Sequence, residues 1–194
     1  MARSVGPKKL KTAIFISGTG SNFKNLIKFS LRKKSPIKVV FVVSDNPKAK
    51  GLRFAKKYKI EKKIYNFKYL KKSENKIIKE FKENNINLIC LAGFMKILSK
   101  NFIKKFNGKI LNIHPSLLPK YKGINTHNRV IENNEKVSGC TVHIVNSKLD
   151  SGKIIMQKQV KVFKKDTPTM LARRILKQEH ILYPKAIKKI LSNL

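Results

Sequence analysis

The sequence predicts a single Rossmann-like α/β domain with a mostly parallel central sheet flanked by helices, an antiparallel C-terminal pair of strands and a closing helix. Three observations predict it. Short β-branched apolar runs alternate with Lys-rich amphipathic segments, the pattern of βαβ units whose strands are buried on both faces. A turn of small residues follows the first run, as at the mouth of such sheets. The last third changes character: two apolar runs lie on either side of Asp150-Ser151-Gly152, which favours a reversal over a crossover.

The elements follow in order. TAIFIS (12–17) reads as a strand and runs into Gly18-Thr19-Gly20-Ser21-Asn22. Phe23, Leu26, Ile27 and Leu31 then recur at helical spacing. Ser35-Pro36 ends that helix, because the residue before proline is driven out of the α region. IKVVFVVS (37–44) is a nearly continuous apolar strand, 51–59 reads as a short helix and 74–84 as a longer one. NLICLAG (87–93) and KILNIH (109–114) are strands on either side of a helix at 99–106. CTVHIV (140–145) and KIIMQKQVKVF (153–163) make the antiparallel pair. Thr167-Pro168 opens the closing helix, with Thr as N-cap and Pro at the first helical position. The expected division is a basic N-terminal extension over 1–11 and one folded domain over 12–194.

Composition narrows the class. A chain of 194 residues, 41% of them hydrophobic, has enough core to need no disulfide or metal staple. No run of about 18 uncharged apolar residues is present to span a membrane. The basic N-terminus leads into a strand, unlike a secretory signal. Cys90 and Cys140 are too few and too far apart for a disulfide framework or zinc ribbon, so a cytoplasmic setting is expected. The net charge of +35 invites a nucleic-acid reading. Its makeup weakens that reading: only six of the 45 basic residues are Arg, the usual bidentate reader of phosphate and guanine. The lysines are spread along the whole chain without an aromatic-interleaved stripe. Ile and Asn are abundant too and share A/T-rich codons with Lys, so compositional bias accounts for much of the charge. Neither a specific nucleic acid nor a membrane is an expected partner.

Several residues can carry chemistry. Gly20, Ser21 and Asn22 lie between a strand and a helix, where backbone N–H groups can meet an anion. The loop is neither a Walker pattern nor a full G-x-G-x-x-G, and it is equally an ordinary turn capped by Ser21 or Asn22. Asn112 and His114 are two apart at a strand end, so both side chains face the same way and Ile113 faces the other. A carboxamide beside an imidazole suits a reaction that develops an oxyanion; the alternative is a pair that merely holds a loop. Asp150 opens a turn, a common structural post for Asp, but near His114 its carboxylate would favour the protonated ring. Glu179 has Ile175, Leu176, Leu182 and Tyr183 at helical spacing and no Lys. It belongs at the edge of an apolar face, where it needs a partner: an amine-bearing ligand, or a distant Lys or backbone group. His127 reads as a helix-start residue, and His143 as either a crevice or a core histidine. No His/Cys/carboxylate cluster has metal-ligand spacing, so no metal is expected.

ISGTGSN, LAGFMKILS, ILNIHPSLLPKYKG, GCTVHIV and EHILYP occur in this order from about residue 12 to 190. Together they resemble the folate-dependent formyltransferases. N-I-H-P-S-L-L-P marks the superfamily, while the G-S-N loop and Q-E-H-x-L-Y-P point to its glycinamide ribonucleotide branch. The resemblance makes 12–194 a formyltransferase domain. It implies formyl transfer from 10-formyltetrahydrofolate, a co-substrate, to the amine of 5-phosphoribosyl-glycinamide in purine biosynthesis. Asn112, His114 and Asp150 match the catalytic trio; Gly20, Ser21 and Asn22 match the substrate phosphate loop, and Glu179 a glycinamide contact. Met95, Lys96, Ile97 and Leu98 match one folate loop and Asn146, Ser147, Lys148, Leu149 and Asp150 the other, with Asn112 also on the folate side. On this basis Asn112→Ala and Asp150→Ala are both expected to fold normally and lose turnover. Small-molecule substrates are the implied partners, with the chain a monomer or homodimer. Lys122 stands where a Pro is usual after K-Y, and Lys96 where Arg is frequent. A basic folate contact falls near 68–73 without singling out a lysine. The rivals are formyltetrahydrofolate hydrolase, methionyl-tRNA formyltransferase or a sugar-amine formyltransferase, which would share the trio because it serves the formyl carbon. Their usual extra domains, a C-terminal one in the tRNA enzyme and an N-terminal one in the hydrolase, are not expected here. A basic nucleic-acid-binding module is the remaining alternative.

Overall fold

In the computed structural model the described residues are 9–192, so residues 1–8 of the expected N-terminal extension and the last two positions lie outside them. Seven strands form one sheet: β1 (Leu10–Ile16), β2 (Ile37–Ser44), β3 (Glu61–Ile64), β4 (Leu88–Leu91), β5 (Lys109–His114), β6 (Val137–Ile144) and β7 (Ile154–Lys161). The helices are α1 (Ser21–Ser30), α2 (Leu52–Lys57), α3 (Leu70–Glu83), α4 (Lys100–Lys105), α5 (Thr126–Glu132) and α6 (Pro168–Leu191). Strand order is β3-β2-β1-β4-β5-β6-β7. Pairing from β3 to β5 is parallel, while β5–β6 and β6–β7 are antiparallel. The parallel sheet with an antiparallel C-terminal pair and closing helix is therefore as the sequence implies, with β6 also antiparallel to β5.

Period-2 alternation in β1 splits the core in two. Ile14 and Ile16 pack with α1 and α6, against Leu26, Ile175 and Tyr183. Ala13 and Phe15 face α3 and α4, against Ile77, Phe81 and Phe102. On α6, Leu171, Ile175, Glu179, Leu182, Tyr183, Ala186 and Ile187 form one buried stripe, with Thr167 capping the helix by accepting from the Met170 N–H as its sequence implies. Tyr183 Oη lies 3.0 Å from the carbonyls of both Leu91 and Leu111, tying that stripe to β4 and β5. Among the described residues, no helix is long and apolar enough to cross a membrane.

Three elements differ from the sequence expectation. The strand β3 carries Glu61, Lys62 and Lys63 and pairs on one side only, so it lacks the apolar run of a central strand. The third helix starts at Leu70 after a 3-10 turn at Phe67–Tyr69, because Asn66 accepts from the Lys68 N–H and opens it early. Leu31 lies past the end of α1 and is exposed, so it is no part of the buried face.

Candidate active site

The strand order reverses direction between β1 and β4, and ligands of open α/β sheets bind in the crevice outside the carboxyl ends at such a point. The loop after β1 and the loop after β4 flank it. They are stitched together: the Ser17 N–H donates to the Gly93 carbonyl (3.0 Å), and Ser17 Oγ accepts from the Met95 N–H (2.8 Å). Ser17 Oγ in turn donates to Asp45 Oδ1 (2.6 Å), and the other Asp45 oxygen is 3.9 Å from Lys96 Nζ.

The glycine loop is not capped by Ser21 or Asn22. The N-cap of α1 is Gly20, with φ +71° and no side-chain cap bond. A Cβ there would lie 2.6 Å from Gly51 Cα, so the backbone approach needs glycine. Ser21 and Asn22 occupy the first turn, whose N–H groups no side chain satisfies. Asn22 is instead turned inward: its Nδ2 donates to Glu179 Oε2 (2.7 Å), and its own Oδ1 is buried without a partner. The Glu179 partner is thus neither a Lys nor a backbone group. Burial raises the Glu179 pKa above the ordinary carboxyl range, and the Asn22 bond only partly opposes it.

Asn112 and His114 end β5 on one face, opposite His143 and Thr141 of β6, while Ile113 joins the α6-side core. The Asp150 carboxylate reaches them from the β6–β7 connection. One oxygen, Oδ2, accepts from the Gly123 N–H (2.9 Å) and lies 3.4 Å from His114 Nδ1. The other, Oδ1, lies 3.4 Å from Asn112 Nδ2 and 3.6 Å from His143 Nε2. Thus Asp150 does not spend its carboxylate on its own turn; Asn146 accepts from the Lys148 N–H there instead. Gly152 completes the connection, since a Cβ would fall 1.6 Å from the Ile144 carbonyl oxygen.

Proton placement follows from the partners. His114 Nε2 is 2.8 Å from the Tyr121 carbonyl, an acceptor, so Nε2 carries a proton and Nδ1 faces Asp150. Burial lowers the His114 pKa, outweighing the Tyr121 carbonyl and Asp150, which raise it. Burial thus makes the ring harder to charge than a free imidazole, against the pull of Asp150 that the sequence led us to expect. Burial works to raise the Asp150 pKa, but His143, the Gly123 N–H and His114 together hold it below the ordinary value. His143 Nδ1 lies 3.0 Å from the Ile144 carbonyl, and its Nε2 lies 3.3 Å from Asn112 Nδ2 and 3.6 Å from Asp150 Oδ1. The sequence left this histidine open between core and crevice; it is buried and in the network.

The remaining sites fall at the rim. Met95, Ile97 and Leu149 are exposed apolar side chains. Leu98 is in the core, so only its main chain can face the crevice. Asn146, Ser147 and Lys148 lie on the β6–β7 loop. Lys122 is tied down: its Nζ donates to Ser151 Oγ (2.6 Å), and its carbonyl accepts from Arg129 Nη1 (2.7 Å). His127 falls in the first turn of α5, with Nδ1 buried and unpartnered. Ser17, Asp45, Gly123 and the Tyr121 carbonyl were not singled out in the sequence. Among the described residues, no group of three or more His, Cys, Asp or Glu is arranged to hold a metal ion. The structure thus builds two clusters, Asn112/His114/Asp150 and Asn22/Glu179, at one end of the sheet.

Residues 10–187 match the formyl transferase family. The chain is a formyl transferase family member. Within the family, it is 40% identical to phosphoribosylglycinamide formyltransferase of Haemophilus influenzae, covering 92% of this chain and 85% of that protein. It is 42% identical to the trifunctional purine biosynthetic protein adenosine-3 of Bos taurus over 97% of its own length, but spans only 19% of that larger protein. The solved phosphoribosylglycinamide formyltransferase of Anaplasma phagocytophilum superposes with a TM-score of 0.90 at 40% identity, covering 96% of this chain and 88% of the other. The Brucella melitensis enzyme does so at 0.89 and 41%, covering 94% and 96%.

Proposed function

We propose that this formyl transferase carries a formyl group from 10-formyltetrahydrofolate to the amine of 5-phosphoribosyl-glycinamide, in purine biosynthesis. The observation that carries the reading is the meeting of Asn112, His114 and Asp150 at the crevice, beside an α1 N-terminus left open by Gly20. In this reading the phosphate of the substrate takes the uncapped N–H groups after Gly20, where the helix dipole favours an anion. Glu179 accepts from the glycinamide end, which gives its buried carboxylate the second partner it lacks. The pterin of the folate lies against Met95, Ile97 and the 146–150 loop, with Lys96 and Leu98 lining it through their main chain.

The step balances within these groups. The substrate amine attacks the formyl carbon, forming a C–N bond and a tetrahedral oxyanion with a positively charged nitrogen. Asn112 Nδ2 donates to the oxyanion; its present contacts, at 3.3 and 3.4 Å, are long enough to be exchanged for a substrate oxygen. His114 Nδ1 takes the proton shed by the new nitrogen, and the charged ring is stabilised by Asp150. The same proton then goes to folate N10 as the formyl carbon–N10 bond breaks. Asp150 stabilises the ring as it charges, offsetting part of the burial that makes charging harder.

The test is formyl transfer by the purified chain, comparing phosphoribosyl-glycinamide, other amines, and water as acceptors. The expected result is transfer to phosphoribosyl-glycinamide far above the rest. Preferential hydrolysis of the formyl folate, or a better amine acceptor, would replace the reading with one of its rivals.

A further inference from the structure

Among the described residues, the direct partner of His114 Nε2, on the far side of the ring from Asp150, is a main-chain carbonyl, that of Tyr121. Tyr121 has φ +55°, the left-handed region. For a bulky residue this conformation is strained and persists only where its surroundings enforce it. Buried Ser116 donates its Oγ–H to the Tyr121 carbonyl at 3.4 Å, and three further contacts hold the residue. Tyr121 Oη donates to Glu135 Oε1 (3.0 Å). The Arg129 guanidinium lies 5.2 Å from the Tyr121 ring centroid. Arg129 also donates to the Lys122 carbonyl, holding the next residue of the loop (2.7 Å). The ring also packs against the edge of the α6-side core. The ring is half-buried, and with Glu135, Leu117 and Pro119 it borders an open hollow of about 780 Å³. Glu135 itself is held by Lys120 Nζ (2.8 Å), an exposed ion pair worth little.

We propose that Tyr121, locked by Glu135, is a positioning residue for His114: its carbonyl fixes the Nε2 proton and leaves Nδ1 as the atom that exchanges protons at the reacting centre. The catalytic consequence rests on the formyl-transfer reading; the tautomer is a property of the resting protein. The other groups that act on the His114 charge are Asp150 and His143 on the antiparallel side and Arg129 on α5, with His127 of α5 coupled to it. None of these offers Nε2 an acceptor, so releasing Tyr121 frees the proton to move to Nδ1, beside the Asp150 carboxylate. A ring with Nδ1 already protonated cannot accept the proton shed by the attacking amine.

The experiment is nitrogen NMR of histidine-labelled full-length protein, with steady-state kinetics, on Tyr121→Phe, Glu135→Ala and Glu135→Gln. Wild type is expected to show the Nε2–H tautomer of His114. Tyr121→Phe and Glu135→Ala are expected to show a mixture with Nδ1–H. Their kcat should fall about tenfold to a hundredfold, the scale of a misplaced catalytic group, with KM nearly unchanged. Glu135→Gln keeps an acceptor for the Tyr121 hydroxyl and is expected to retain the wild-type tautomer and kcat. Glu135→Ala lies outside the loop, so it tests the clamp even if Tyr121→Phe fails to fold. An unchanged tautomer in Glu135→Ala overturns the proposal whether or not the protein transfers formyl groups. A moved tautomer with unchanged kcat overturns its catalytic half, as does a Glu135→Gln variant that falls as far as Glu135→Ala. A wild type with no transfer activity counts against the functional reading alone, since the tautomer measurement does not depend on it.

Discussion

Replacing Asp150 separates its chemistry from its backbone if the substitution is chosen by conformation. Asp150 has φ +44°, in the left-handed region that Asn and Asp tolerate better than Ala. Asp150→Ala therefore costs about 1 kcal/mol for conformation. It also strips the Gly123 N–H of its acceptor, which in a part-buried setting costs about 1 kcal/mol more. The sum of about 2 kcal/mol corresponds to a fall in Tm of roughly 4–8 °C for a chain of this length. This revises the sequence expectation that the alanine variant folds as wild type does. Asp150→Asn keeps the left-handed preference and an oxygen for the Gly123 N–H, so its Tm should fall distinctly less. Both variants remove the negative charge that stabilises the charged His114 ring and should lose about 10²–10³ in kcat. Linkage gives a further signature. The Asp150 pKa is depressed in the folded state, so its ionisation adds stability above the unfolded value near about 3.9. That contribution is lost as pH falls through the lower folded value. The stability gap between wild type and Asp150→Asn should accordingly be present at neutral pH and close in acid. Urea melts across pH, with formyl-transfer kinetics, measure all of this. An alanine variant as stable as the asparagine one refutes the conformational account, and an asparagine variant with wild-type turnover refutes the electrostatic one.

Three more outcomes are expected. Asn112→Ala should keep its fold and lose about 10²–10³ in kcat, the usual effect of deleting one oxyanion donor; stopped-assay kinetics with a melting curve check it. Glu179→Gln keeps an oxygen for Asn22 but removes a buried charge, and KM for phosphoribosyl-glycinamide should rise about tenfold to a hundredfold. Burial raises the Glu179 pKa, so wild type loses stability as pH rises from the unfolded to the folded value. The glutamine variant should then be the more stable protein at neutral pH and lose that advantage in acid, as paired denaturant melts will show. If the +35 charge helps capture two anionic substrates, added salt should raise KM more than it lowers kcat, and a salt-independent KM removes that role.

What the sequence revealed about the site was whatever is local along the chain. Asn112 and His114 were readable because strand alternation is a two-residue rule, and Ile113 duly points into the core. The position of Glu179 was readable because helical spacing is also local, and the α6 stripe contains it. Its partner was not, since Asn22 is 157 residues away and looked like an ordinary helix cap. Asp150 misled in a different way: an Asp at a turn has a common structural use, and nothing in the chain says that its carboxylate faces Gly123 and His114 instead. The acceptor for His114 Nε2 left no mark at all, because a carbonyl belongs to every residue. In the fold, β3 escaped because an edge strand needs hydrogen bonds on one side only and can be built from Glu and Lys.

The few acids of this chain show how buried charge separates structure from chemistry. Among the described residues four carboxylates are buried: Glu74, Asp150, Asp166 and Glu179. A buried carboxylate is costly unless hydrogen bonds occupy it. Two are fully occupied. Glu74 accepts from the N–H and Oγ of Ser99 and so anchors the end of the loop that carries Met95 and Ile97. Asp166 accepts two bonds of 2.6 Å from Arg174 and a third from the Phe163 N–H. Both have their partners in the chain and need nothing from outside it. The other two are under-supplied. Asp150 has one close hydrogen bond at 2.9 Å and otherwise contacts of 3.4–3.6 Å, and Glu179 has the single amide of Asn22. Folding alone does not account for keeping a charge so poorly paired. A ring that gains a proton beside Asp150, and a substrate that donates to Glu179, complete both carboxylates during turnover.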